Sequence, residues 1–142
     1  FRSIQMKNMI IAVLIGFTVF TPASHFSLSA APTVKTVVYY FHGQFRCYSC
    51  TRIEELASIA LQKHFSKELA SGAVVWRPVN VDAPGNERYI ADYRLRTRSV
   101  VASRVIDGKE ISWKNLERVW HYYNDEPAFT AYIKSEIDTL MC

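Results

Sequence analysis

The sequence predicts an α/β domain over residues 32–142, a β-α-β-α-β-β-α core with one extra C-terminal helix. Three observations predict it. Stretches rich in β-branched and aromatic residues alternate with stretches whose apolar residues recur every three or four positions. The first two strand-like stretches are separated by a long helical pattern, as a parallel pair requires, whereas the last two are separated only by Asp107-Gly108. The chain of 142 residues, 49% hydrophobic and 21% charged, holds one domain's worth of core.

Each element follows in order. Val34 to Gly43, "VKTVVYYFHG", reads as a strand that ends at glycine. From Cys50 onward, Ile53, Leu56, Ala57, Ala60, Leu61 and His64 form the stripe of an amphipathic helix. Glu54 and Glu55 are expected in its first turn, where negative charge suits the dipole, and Gly72 is its expected stop. Ala73 to Asp82 is a second strand. Pro78 within it has no N–H to donate, so this strand belongs at a sheet edge. Asn86 to Leu95 is a short helix opened by Pro84-Gly85. Ser99 to Ile106 and Lys109 to Trp113 form an antiparallel hairpin on Asp107-Gly108, which supplies the positive φ angles of a tight turn. Leu116, Val119, Trp120 and Tyr123 share a face of one closing helix. Phe129, Tyr132, Ile133, Ile137 and Leu140 share a face of the last, with Pro127 near its start. With the first two strands parallel and the last two antiparallel, this is the layout of a thioredoxin-like domain.

Residues 1–31 differ from the rest. Lys7 precedes the apolar run Met9 to Phe20, and small and polar residues follow it. That pattern reads as a signal peptide, with cleavage after Ala23, Ser29 or Ala31, or as an N-terminal anchor. The run is shorter than the about 20 residues that span a bilayer. A periplasmic or otherwise extracytoplasmic location is expected, with membrane contact only through this segment if it stays uncleaved. A net charge of +4 without a dense basic stripe argues against a nucleic-acid partner.

The chemistry centres on Cys47-Tyr48-Ser49-Cys50. Two thiols at this spacing can exchange electrons, hold a metal or staple a turn. A two-residue loop constrains little of the unfolded chain, so the staple is the poorest of the three. Cys47 falls where a strand-end loop meets a helix N-terminus, which favours a thiolate, and Arg46 puts a cation beside it. Cys47 is the expected nucleophile, and Cys50, about one turn on, is the expected resolving thiol. A zinc site asks for four protein ligands or three plus water. This motif supplies two, His42 is a candidate third, and terminal Cys142 reads as a free thiol. No cofactor and no resident metal are expected, but a metal- or metalloid-binding module built on the same cysteines, even across two chains, stays open.

Around the pair, Arg94, Arg96 and Arg98 alternate toward Ser99, with Arg104 beyond. They form a solvated basic strand entrance or, more sharply, a substrate or partner rim of Arg96, Arg98 and Ser99 beside Cys47. Tyr48, an accessory position, and Trp76 read as packing residues, with an apolar contact surface as the sharper choice.

Tyr40-Phe41-His42, Arg46 to Cys50 and Ile53-Glu54, together with "VNVDAPGNERYIADYRL" and "ISWKNLERVW", resemble the small exported thioredoxin-like proteins found with bacterial arsenic-resistance genes. These are the ArsF type, catalogued as nitrophenyl compound nitroreductase subunit, and the similarity covers Val34 to Leu140. The resemblance implies a redox role as one component of a reducing system. No flavin-binding pattern accompanies it. Against thioredoxin proper, the Trp-Cys-Gly-Pro-Cys centre is replaced, and Phe41 stands where a buried aspartate is expected, which leaves His42 or a water to take its part. The loop Thr97 to Val100 lacks the proline that faces the cysteines. That loss raises the metal alternative and narrows the range of disulfide exchange. The expectation is an exported thiol–disulfide oxidoreductase serving a protein partner. Since an exported dithiol stays reduced only when supplied with electrons, a transmembrane thiol reductase is the expected donor.

Overall fold

The computed structural model describes residues 31–142. The segment read as a signal or anchor therefore lies, but for its last residue, outside the described residues. Among the described residues no helix is long and apolar enough to cross a membrane.

The elements run β1 (Val34–His42), α1 (Tyr48–His64), α2 (Ser66–Ser71), β2 (Val74–Asn80), α3 (Arg88–Asp92), β3 (Ser99–Ile106), β4 (Lys109–Asn115), α4 (Val119–Tyr122) and α5 (Glu126–Met141). The sheet order is β2-β1-β3-β4, with β1 parallel to β2 and antiparallel to β3, and β3 antiparallel to β4. This is the thioredoxin-like layout, carrying α5 as its additional C-terminal helix. β1 is a nearly continuous apolar run because it lies inside the sheet with both faces covered. β2 takes the edge, as Pro78 requires, with Pro78 opposite Tyr40.

Alternation along β1 divides the interior in two. Val38 and Tyr40 face the larger core with Ile53, Leu56 and Leu61 of α1 and Phe129, Ile133 and Ile137 of α5. Tyr39 and Phe41 face the other side, against Val79, Tyr93 and Val101. The hairpin turn has Asp107 at φ 50° and Gly108 at φ 79°, and the Asp107 Oδ1 also accepts from the Thr33 N–H at 2.8 Å. α5 starts as its sequence demands: Asp125 caps the Ala128 N–H at 3.0 Å, and Pro127 sits in the first turn, where its missing N–H costs nothing.

Three local expectations change. The long helix breaks at Phe65, which leaves helical geometry and buries its ring, so α2 is a separate short helix that Gly72 ends in the left-handed region. α1 begins at Tyr48 rather than Cys50, because Cys47 is its cap. Its first turn then holds no acidic residue, and Glu54 and Glu55 fall in the second. The stretch from Leu116 to Tyr123 forms only the single turn α4, and α5 does the packing against α1.

Candidate functional site

The site is a short loop between the end of β1 and the start of α1. Gly43 is buried, and a Cβ there would meet the Asp82 Oδ2 at 2.8 Å. Only glycine lets that carboxylate lie against the chain, where it accepts the Gln44 N–H at 2.7 Å. The Asn80 side-chain amide donates to the Gln44 Oε1 at 3.0 Å, and the Arg98 Nη2 donates to the Phe45 carbonyl at 3.1 Å. The Trp120 indole donates to the Arg98 carbonyl at 3.0 Å, which holds the loop that carries Arg98.

This tethered loop delivers Cys47 to the N-cap of α1, in extended geometry at φ −88° and ψ 166°. Its sulfur accepts the Cys50 N–H at 3.3 Å and lies 3.4 Å from the Ser49 hydroxyl. Donors at a helix start favour negative charge on that sulfur once it is reduced. Cys47 and Cys50 are joined as a disulfide with Cα atoms 5.0 Å apart, inside the ordinary range. The two sulfurs differ in access: Cys47 is exposed, whereas Cys50 is 1% exposed.

The Tyr40 hydroxyl donates to the Cys50 carbonyl at 2.6 Å. Burial, and then the negative charge of Glu54, push the Tyr40 pKa up to about 12, while Arg46 and Arg98 pull it back in part. Tyr40 is thus a neutral donor throughout the ordinary pH range. Phe41, expected at the position of the aspartate, points to the opposite face of the sheet and stacks with Tyr39 at 5.2 Å. The β1 residue beside the cysteines is Tyr40.

The expected accessory residues divide. The Arg46 guanidinium is ion-paired with Glu54 and is not left unanswered beside Cys47. The His42 Nδ1–H donates to the Gly43 carbonyl at 2.9 Å, which leaves Nε2 as the acceptor in the neutral ring. His42 lines a cleft of about 330 Å³ with Gly43, Asp82, Arg96 and Arg98. Tyr48 is 79% exposed and Phe45 is 84% exposed, so the packing reading of Tyr48 fails, and two open aromatic rings flank Cys47. Trp76 does pack against the larger core.

On the expected rim, Arg96 is exposed and Arg98 is half-buried and tied to the loop. Ser99 is buried, with its hydroxyl turned to the Thr97 carbonyl at 2.9 Å, and takes no place on an open rim. Arg104 lies away from the site and donates to the Leu140 carbonyl. Cys142 is exposed and free.

Sequence reasoning missed Tyr40, Asp82, Phe45 and Trp120. Strand alternation could have exchanged Tyr40 for Phe41, once α1 was assigned to the face of Val38. Nothing local announces Asp82 or Trp120, which arrive from other elements. Among the described residues no three His, Cys, Asp or Glu side chains gather as a metal ion would require.

No family model matches the chain, and no curated protein matches it. The X-ray structure of Fasciola hepatica thioredoxin is similar, with 24% identity and a TM-score of 0.37, over 56% of this chain. The chain covers 66% of that structure, just under two thirds of its length. A thioredoxin-like fold with a Cys-x-x-Cys pair at a helix start equips the chain for thiol–disulfide exchange.

Proposed function

We propose that the chain is an exported thiol–disulfide redox protein that exchanges electrons with a protein partner, with Cys47 attacking and Cys50 resolving. The observation that carries this is the difference in access between an exposed Cys47 and a Cys50 that is 1% exposed. Of the two, a foreign sulfur reaches only Cys47.

In the reducing direction, the Cys47 thiolate attacks one sulfur of the partner's disulfide, forms a mixed disulfide and expels the partner's other sulfur as thiolate. Cys50, losing its proton, attacks the Cys47 sulfur, re-forms the internal disulfide and releases the second partner thiolate. Two electrons pass to the partner and two thiol protons are given up. Recharging runs the same steps backward from a dithiol donor. Phe45 and Tyr48, exposed and close to Cys47 in the chain, offer the partner apolar contact. The resemblance to ArsF-type proteins supports a role in a reducing system, and the apolar run near its N-terminus supports export. Outside the cytoplasm the donor is then a transmembrane thiol reductase.

The test is equilibration of the purified protein with glutathione buffers, together with trapping. A reversible Cys47–Cys50 couple is expected. Cys50→Ser should accumulate a mixed disulfide with the membrane reductase, and Cys47→Ser should accumulate none. No reversible couple, or equal trapping by both variants, would sink the assignment.

A further inference from the structure

A thiolate at Cys47 needs a cation, and its neighbour in sequence does not supply one. The Arg46 charge is answered by Glu54. Arg98 arrives instead from the residue before β3, and its Nη2 donates to the Phe45 carbonyl at 3.1 Å, two residues ahead of Cys47. Two trans peptide links separate those Cα atoms by at most about 7.6 Å. Among the described residues Arg98 joins no ion pair.

The other titratable groups around the loop are accounted for. Tyr40 is a neutral donor, and the His42 Nδ1–H is spent on the Gly43 carbonyl. Glu54 is taken by Arg46, and the Asp82 carboxylate accepts from the Gln44 N–H and keeps its charge in the cleft that it shares with Arg98. Arg96 is exposed and shares with Arg98 the cleft beside Gly43.

Resting on the redox reading above, we infer that Arg98 is the positioning residue for Cys47. Its guanidinium fixes the Phe45 carbonyl, and hence the loop that aims the sulfur, while its charge, held in no ion pair, stabilises the thiolate of the reduced protein. The Trp120 indole, by holding the Arg98 main chain at 3.0 Å, keeps that charge in place. The loop before β3 thus reaches the redox pair through an arginine. Stabilising the thiolate favours the reduced dithiol and makes the couple more oxidising.

The experiment compares the parent with Arg98→Gln, which removes the charge, and Arg98→Lys, which keeps it. Thiolate fraction is followed by ultraviolet absorbance of the reduced protein against pH, and the couple by equilibration with glutathione. Arg98→Gln should lower the thiolate fraction at neutral pH about two- to fivefold, the effect of one charge at roughly 10 Å. It should also move the equilibrium toward the disulfide, and Arg98→Lys should stay near the parent. Adding Glu54→Gln to Arg98→Gln frees Arg46 and should restore part of the loss. Unchanged titration and equilibrium in Arg98→Gln would overturn the inference. Should Arg98→Gln not fold, Arg98→Met is read in the same way. A parent with no reversible couple rejects the redox reading itself, whereas a reversible couple indifferent to Arg98 rejects only this inference.

Discussion

The two faces of the sheet are built on different principles. Beneath α1 and α5 the interior is closed and largely aliphatic, with Val38, Ile53, Leu56, Ala60, Phe129, Ile133 and Ile137 all at 0–1% exposure. The α3 face is aromatic. Tyr39, Phe41, Tyr89 and Tyr93 lie with ring centroids 5.2–6.1 Å apart, Trp113 meets Tyr93 edge-on at 5.3 Å, and Tyr89 is only half-buried. The first face makes a rigid platform of the kind that holds a reactive turn in a single geometry. α3 is five residues long and cannot cover the second face as α1 and α5 cover the first. The cysteines stand on the closed side: Cys50 is the first buried residue of α1, and Tyr40 ties its carbonyl to β1.

Unequal substitution costs would sharpen that contrast. Leu56→Ala empties space in the closed core and should cost about 2–5 kcal/mol in denaturant unfolding. Tyr89→Ala, on the half-open face, should cost clearly less, and equal losses would show the two faces to be equally well packed. Gly43→Ala drives a methyl group into the Asp82 carboxylate and should cost about 1 kcal/mol by breaking its bond to the exposed Gln44 N–H. It should also slow alkylation of Cys47, because the loop would no longer aim the sulfur. Tyr40→Phe removes one hydrogen bond and should cost about 1 kcal/mol.

That last variant has a reading in base. The folded protein holds the Tyr40 proton more tightly than the unfolded chain, since its pKa rises from 10.0 to about 12. This contribution is complete below pH 10.0 and is lost as pH climbs through about 12. Alkaline unfolding curves of Tyr40→Phe should therefore be flatter over that window than those of the parent. Tyr93, raised by burial and by its bond to Glu110, adds loss of the same sign from the other face. An unaltered curve in Tyr40→Phe would place the alkaline sensitivity in Tyr93 or elsewhere.

Much of the architecture is written in short-range pattern. The β-branched and aromatic run along Val34 to His42, Asp107-Gly108 between two strands, Pro78 at an edge and Asp125 with Pro127 at a helix start each act through neighbouring atoms. A sequence carries that information directly. The helix was legible from Cys50 onward because its apolar residues keep the period, yet its start at Tyr48 and the break at Phe65 were not. There the ring's burial overrides local propensity. The Cys47–Cys50 pair itself was legible from its spacing.

What the sequence by itself determined is therefore the order of elements and the turn that holds two cysteines at disulfide spacing. The tertiary structure alone decided which sulfur is open, which ring of β1 stands beside them, and which charges are already answered. Arg46 adjoins Cys47 in the chain yet spends its charge on Glu54, while Arg98 comes from the far side of β1 to hold the loop. Charge, access and hydrogen bonding depend on distance in space. Residues that lie far apart in the chain meet only when the sheet assembles.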